Sequence, residues 1–143
     1  MKNKIFLLSS LFMFSLFFSC SSDDDGVSIS QASRDLRGTW ELSQIIENNT
    51  PVSEIPCSQK TEYRFNSGFT YSEDEFAGVD IDNCTIAATF NGSWENIEDD
   101  MVLRLQRAGS ETAESFVITF RNNAQVFDID ISSTRTVTFQ KVN

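Results

Sequence analysis

Histidine is missing from all 143 residues, and several large classes of chemistry go with it. Ser-His-Asp and Cys-His nucleophilic sites, His-ligated metal centres and histidine pH switches all need an imidazole. Glycine occurs six times and proline twice, with no phosphate-cradling loop or dinucleotide fingerprint among the glycines. Cysteine occurs three times, too thinly spread for ordinary zinc coordination without histidine, so neither metal nor other cofactor is expected. Positive charge is scarce as well, with 11 Lys and Arg against 21 Asp and Glu. So acidic a chain repels nucleic-acid phosphates, which removes nucleic acid from the expected partners. With most common catalytic plans gone, no enzyme is expected.

Long apolar runs are also absent, except one. Lys2 and Lys4 precede Ile5–Phe18, an almost unbroken apolar stretch of 14 residues. As a helix it would span roughly 21 Å, short of the ~30 Å hydrocarbon core of a bilayer. It therefore reads as a cleaved signal peptide over residues 1–19. Ser19-Cys20 closes the run, and Ser21-Ser22-Asp23-Asp24-Asp25 follows at once. A cysteine at that point resembles a bacterial lipoprotein signal, which implies that Cys20 is lipidated and holds the protein to a membrane. An ordinary signal peptide or an uncleaved anchor are the alternatives. The acidic run is similar to the tether of Bacteroidota lipoproteins, which implies an outer-membrane, cell-surface address. The same residues also read as a solvated linker kept extended by like-charge repulsion.

Residues 20–34 are thus taken as the lipidated cysteine and flexible tether, and 35–143 as one domain. Without residues 1–19 the chain has 124 residues and a formal charge of −12, nine cations against 21 acids. That is length for a single domain. Cys57 and Cys84 then remain as a pair. In an oxidising compartment they most simply form a disulfide, with two free thiols as the other reading.

Ser28–Arg37 can form one or two helical turns, capped by Ser30 or Ser33 and stopped at Gly38. Beyond Gly38 the apolar period is two, and it stays so to the end. Eight segments alternate: Trp40-Leu42, Tyr63-Phe65, Phe69-Tyr71, Ile86-Ala88-Phe90 with Trp94, Met101-Leu103-Leu105, Phe116-Ile118-Phe120, Phe127-Ile129-Ile131 and Val137-Phe139. One apolar and one polar face on every strand is what an antiparallel sheet around a single core requires. The fold class expected is all-β: an eight-stranded antiparallel up-and-down barrel, with a two-sheet sandwich as its competitor.

Gly38-Thr39-Trp40 opens the first strand just after the helical turn. Cys57, Cys84, Gly92-Ser93-Trp94 and a closing strand over Val137–Val142 follow in order. This layout over about residues 35–143 resembles the lipocalin fold, and is closest to the small lipocalin-like domains of Bacteroidota lipoproteins. The resemblance implies a barrel closed at Gly38 and Trp40. Lipocalins lay an arginine from the far end of the barrel over that tryptophan. Here an antiparallel last strand brings Lys141 there instead of Arg135.

Two uses of such a barrel follow. The inward aromatics could line a cavity for a small hydrophobic ligand, held without catalysis by Tyr63, Tyr71, Phe90, Phe116 and Phe127, with the two phenols as polar handles. Alternatively they fill the interior, and an acidic module meets a protein or glycan partner through its loops, with Phe76 as the aromatic anchor. The chain is expected to be a monomer. Glu73-Asp74-Glu75 and Asp80–Asn83 offer carboxylates for calcium, but without the EF-hand spacing they read as solvated. Asp128 and Asp130 are expected to face outward.

Overall fold

The computed structural model describes residues 29–97 and 101–142. Residues 1–19, Cys20 and most of the acidic tether lie outside them. Ser30 caps the short helix α1 (Gln31–Leu36), its Oγ accepting from the Ser33 amide at 3.0 Å. The helix takes in Gln31–Arg34, residues assigned by sequence to the tether. Arg37 is extended, and Gly38 at φ +121° turns the chain into the first strand. That left-handed backbone conformation is what glycine is needed for here; a Cβ would also meet Lys141 Cε at 2.9 Å, which the flexible lysine could yield to.

Nine strands follow: β1 (Gly38–Glu47), β2 (Thr50–Pro51), β3 (Thr61–Phe65), β4 (Thr70–Ala77), β5 (Thr85–Ile97), β6 (Val102–Arg107), β7 (Glu114–Arg121), β8 (Val126–Ser132) and β9 (Arg135–Val142). All neighbours are antiparallel, and β3 to β9 form a continuous meander. β1 closes it, pairing Trp40 with Tyr63 of β3 on one side and with Lys141 of β9 on the other. The result is a closed eight-stranded barrel, not a sandwich, with β2 as one extra strand. β2 folds back on the end of β1 through Asn48 and Asn49, both at positive φ. Asparagine tolerates that conformation better than other side-chain-bearing residues.

The core forms where the period-two faces converge. Leu36, Trp40, Ile45, Leu103 and Phe127 are fully excluded from solvent. α1 closes one end, where the Trp40 indole N–H donates to the Leu36 carbonyl at 2.6 Å. Lys141 reaches Trp40 as the antiparallel register requires, with Nζ 5.0 Å from the ring centroid and donating to the Asp35 carbonyl at 2.7 Å. Arg135 lies at the opposite end, paired with Glu47 at 3.3 Å.

Several residues expected on the inward face lie at the edge of the core or outside it. Ile86, Met101 and Ile131 are about half exposed, at 54%, 56% and 49%. They stand at strand ends, beyond the depth that the opposite wall covers. Phe69 has φ +57° and belongs to the turn before β4, with its ring 5.1 Å from Trp94. Phe76 is not a loop anchor: it lies within β4 and is half-buried beside Lys60 and Glu62. Asp128 faces outward as expected, its carboxylate accepting two bonds from Arg121 at 2.6 and 2.7 Å.

Cys57 and Cys84 are joined by a disulfide with S–S 2.00 Å. It ties the β1–β3 connection to the β4–β5 loop at the end of the barrel opposite α1. Gly78 packs under it: a Cβ there would lie 2.9 Å from Cys57 Sγ.

Candidate functional site

The end away from α1 is open. A cavity of about 230 Å³ leads into the barrel there. Its floor is Ile45, Tyr63, Ile129, Val137 and Phe139, all buried residues of β1, β3, β8 and β9. Gln59, Thr61 and Arg135 border its entrance. Strand alternation produces this apolar floor, since each strand sends every second side chain inward.

One half of the same rim is charged. Tyr71, Glu73 and Glu75 follow one another at inward positions of β4, and Leu103, Leu105 and Arg107 do so on β6. The Glu73 carboxylate accepts from Tyr63 Oη at 3.2 Å and from Arg107 Nε and Nη2 at 3.2 and 2.9 Å. Arg107 Nη2 also donates to Glu75 at 3.1 Å, while its guanidinium carbon lies 4.0 Å from the Phe90 ring centroid. Burial pushes the Glu73 carboxyl above the ordinary range, and Arg107 and the Tyr63 hydroxyl oppose that rise. Burial also raises both phenols, reinforced in each by the Glu73 charge. Both tyrosines therefore stay protonated at neutral pH, so that Tyr63 serves as a donor. A second cavity of about 50 Å³ lies among Tyr63, Tyr71, Glu73, Arg107 and Glu114, under the β6–β7 loop. Gly92 permits this packing, because a Cβ there would lie 2.1 Å from the Gln106 carbonyl oxygen and 2.6 Å from Tyr71 Cε1.

The structure distributes the five expected ligand-lining residues over four places. Tyr63 and Phe116 border the apolar cavity, and Tyr63 and Tyr71 border the smaller one. Phe90 stands at the rim with Arg107 on its face. Phe127 is at the plugged end, 4.7 Å from Trp40 and 5.1 Å from Phe139 between centroids, where it is core packing and not a wall of the open end. Aromatic core packing at the α1 end and a cavity at the other thus both occur in one barrel.

By sequence Glu73 was read only as one carboxylate of an acidic run, and Arg107 was not singled out. Their signal was present: Glu73 continues the inward register of Tyr71, and Arg107 that of Leu105. Treating Glu73-Asp74-Glu75 as an acidic run concealed that neighbours in a strand face opposite ways. Asp74 is buried on the outer surface, bonded to Arg64 Nη2 at 2.7 Å and Thr89 Oγ1 at 2.5 Å. The run therefore does not converge on one calcium ion.

An up-and-down barrel, plugged by a helix over a tryptophan and open at the other end onto an apolar cavity, is a cup of the kind that takes small ligands. The model of the lipocalin-like domain matches residues 36–139, and the chain belongs to that family, whose members are generally non-catalytic binders. No curated protein matches the chain.

Proposed function

We propose that this protein is a lipid-anchored outer-membrane lipoprotein whose barrel holds the apolar part of a small ligand in its open end, without catalysis. The observation that carries the binding is the cavity of about 230 Å³ with an apolar, buried floor. Pockets for drug-sized molecules run to about 300–1,000 Å³, so this one suits a short chain or single ring, with the rest of the ligand at the rim. The anchor rests on the Ser19-Cys20 junction after the apolar leader, and the outward address on the acidic run behind it.

A neutral naphthylamine dye tests the cavity. Saturable fluorescence enhancement at one dye per chain is expected. Ile131→Trp, at the exposed edge of the cavity, should weaken it about tenfold or more with melting unchanged. No saturable enhancement in the unaltered protein would remove the binding reading and leave the rim and outer surface to a macromolecular partner. The anchor has its own test: Cys20→Ser should move the protein from the membrane to the soluble fraction of fractionated cells. Membrane association that survives the substitution would show that Cys20 is not the lipidated residue.

A further inference from the structure

The apolar cavity of about 230 Å³ is lined by no carboxylate and by one cation, Arg135. In a chain with 21 acids and 11 bases, that lining reverses the balance of the whole. Strand geometry puts the arginine there. Arg135, Val137 and Phe139 are alternate residues of β9, and the last two form buried floor. The same register therefore sends Arg135 inward at the mouth. Thr61 stands in the same relation to Tyr63 on β3, with Gln59 just before that strand.

Among the arginines in ion pairs, Arg135 is the least committed. Arg64, Arg104, Arg107 and Arg121 each bond a carboxylate, at 2.7, 2.8, 2.9 and 2.6 Å. Arg135 meets Glu47 through Nη1 at 3.3 Å, and both side chains are exposed, at 36% and 47%. Pairs of that kind contribute little. Nε and Nη2 of Arg135 are left without a partner among the described residues. That edge of a guanidinium matches the two oxygens of a carboxylate, as it does where Arg121 holds Asp128.

From this juxtaposition we infer that the ligand is a small aryl carboxylate, its ring on the apolar floor and its carboxylate on the Nε–Nη2 edge of Arg135. The inference rests on the binding reading above and adds the class of ligand to it. Every group involved lines one cavity, so no second site has to be joined to the first. The floor suits a ring, because Tyr63, Phe116 and Phe139 present aromatic surface to it. Gln59 and Thr61 carry further donors at the same entrance. Glu47 keeps its contact with Nη1 and need not be displaced. An ammonium head would meet Arg135 with no carboxylate in the lining to hold it.

Calorimetric titration of the full chain with phenylpropanoate, phenylpropanol and phenylpropylamine at neutral pH is the experiment. The three share a ring and spacer and differ in the head. Moderate salt screens the negative charge of the chain as a whole. Phenylpropanoate is expected to bind about tenfold or more tightly than phenylpropanol, with the amine weakest. Arg135→Gln should bring the carboxylate to within about twofold of the alcohol. Glu47→Gln, outside the cavity, should instead tighten the carboxylate about two- to threefold and leave the alcohol unchanged. Equal affinities for all three in the unaltered protein would overturn the head-group inference while leaving the apolar cavity as a binding site. Tightest binding of the amine, or a carboxylate preference that survives Arg135→Gln, would overturn it too. Binding of none would reject the cavity reading and this inference together.

Discussion

Trp40→Ala is expected to lower the unfolding free energy by about 3–5 kcal/mol, the range for deleting a large aromatic from a packed core. The indole is fully buried, and three kinds of contact converge on it. Phe127 meets it edge-on with centroids 4.7 Å apart. Its N–H satisfies the carbonyl of Leu36, the last helical residue of α1. Lys141 covers its other side while capping Asp35. Truncation thus leaves a cavity, an unpartnered carbonyl and a partly buried ammonium at once. Trp40→Phe separates these parts in degree, because it retains one ring and loses the donor together with the remainder of the indole; a loss of about 2–3 kcal/mol is expected. Urea denaturation measures both. A loss below 1 kcal/mol for the alanine variant would mean that the helix end of the barrel does not depend on the tryptophan.

The same contacts show what could be read from the chain before its fold was known. Alternation along Phe127-Ile129, Val137-Phe139 and Leu103-Leu105 identifies the inward face, since a strand has only two faces. The placement of Lys141 over Trp40 followed from one further premise, that the last strand runs antiparallel to the first. Depth was not legible. Ile86 and Phe90 continue the pattern of Trp94, yet they stand above the level that the opposite wall covers, and a two-residue period carries no information about that height. Bulges hid more: the register shifts between Leu42 and Gln44, so Ile45, not Gln44, returns to the core. β2 has only two residues and no period to detect, although the Asn48-Asn49 pair before it was a turn signal. The Glu73–Arg107 pair was obscured for a different reason. A charged residue on an inward register looks like the end of a strand, whereas here the strand continues and the charge is neutralised by a partner 34 positions away.

Removing the disulfide should cost nearly as much as removing the tryptophan, by another route. Cys57 and Cys84 are 27 positions apart, so their bond closes a loop whose constraint on the unfolded chain is worth roughly 3–4 kcal/mol in the chain-entropy model. Cys57→Ala/Cys84→Ala should accordingly melt about 10–15 °C lower, given ~4 °C per kcal/mol for a domain near this size. Reductant should lower the melting of the unaltered protein by a similar amount and leave the double variant unchanged. Equal melting of the unaltered protein with and without reductant would refute a stabilising bond. The location of the bond adds a second consequence. It joins the two loops above β3 and β4, the strands that supply Tyr63, Glu73 and Glu75 to the open end. In the α1 half, the core is locked by Trp40, Phe127 and Phe139 without help from the bond. Loss of the disulfide should therefore raise amide exchange first at the ends of β3 and β4 nearest the opening, with β8 and β9 near Trp40 still protected. Uniform acceleration over all strands would show instead that the barrel opens only as one cooperative unit.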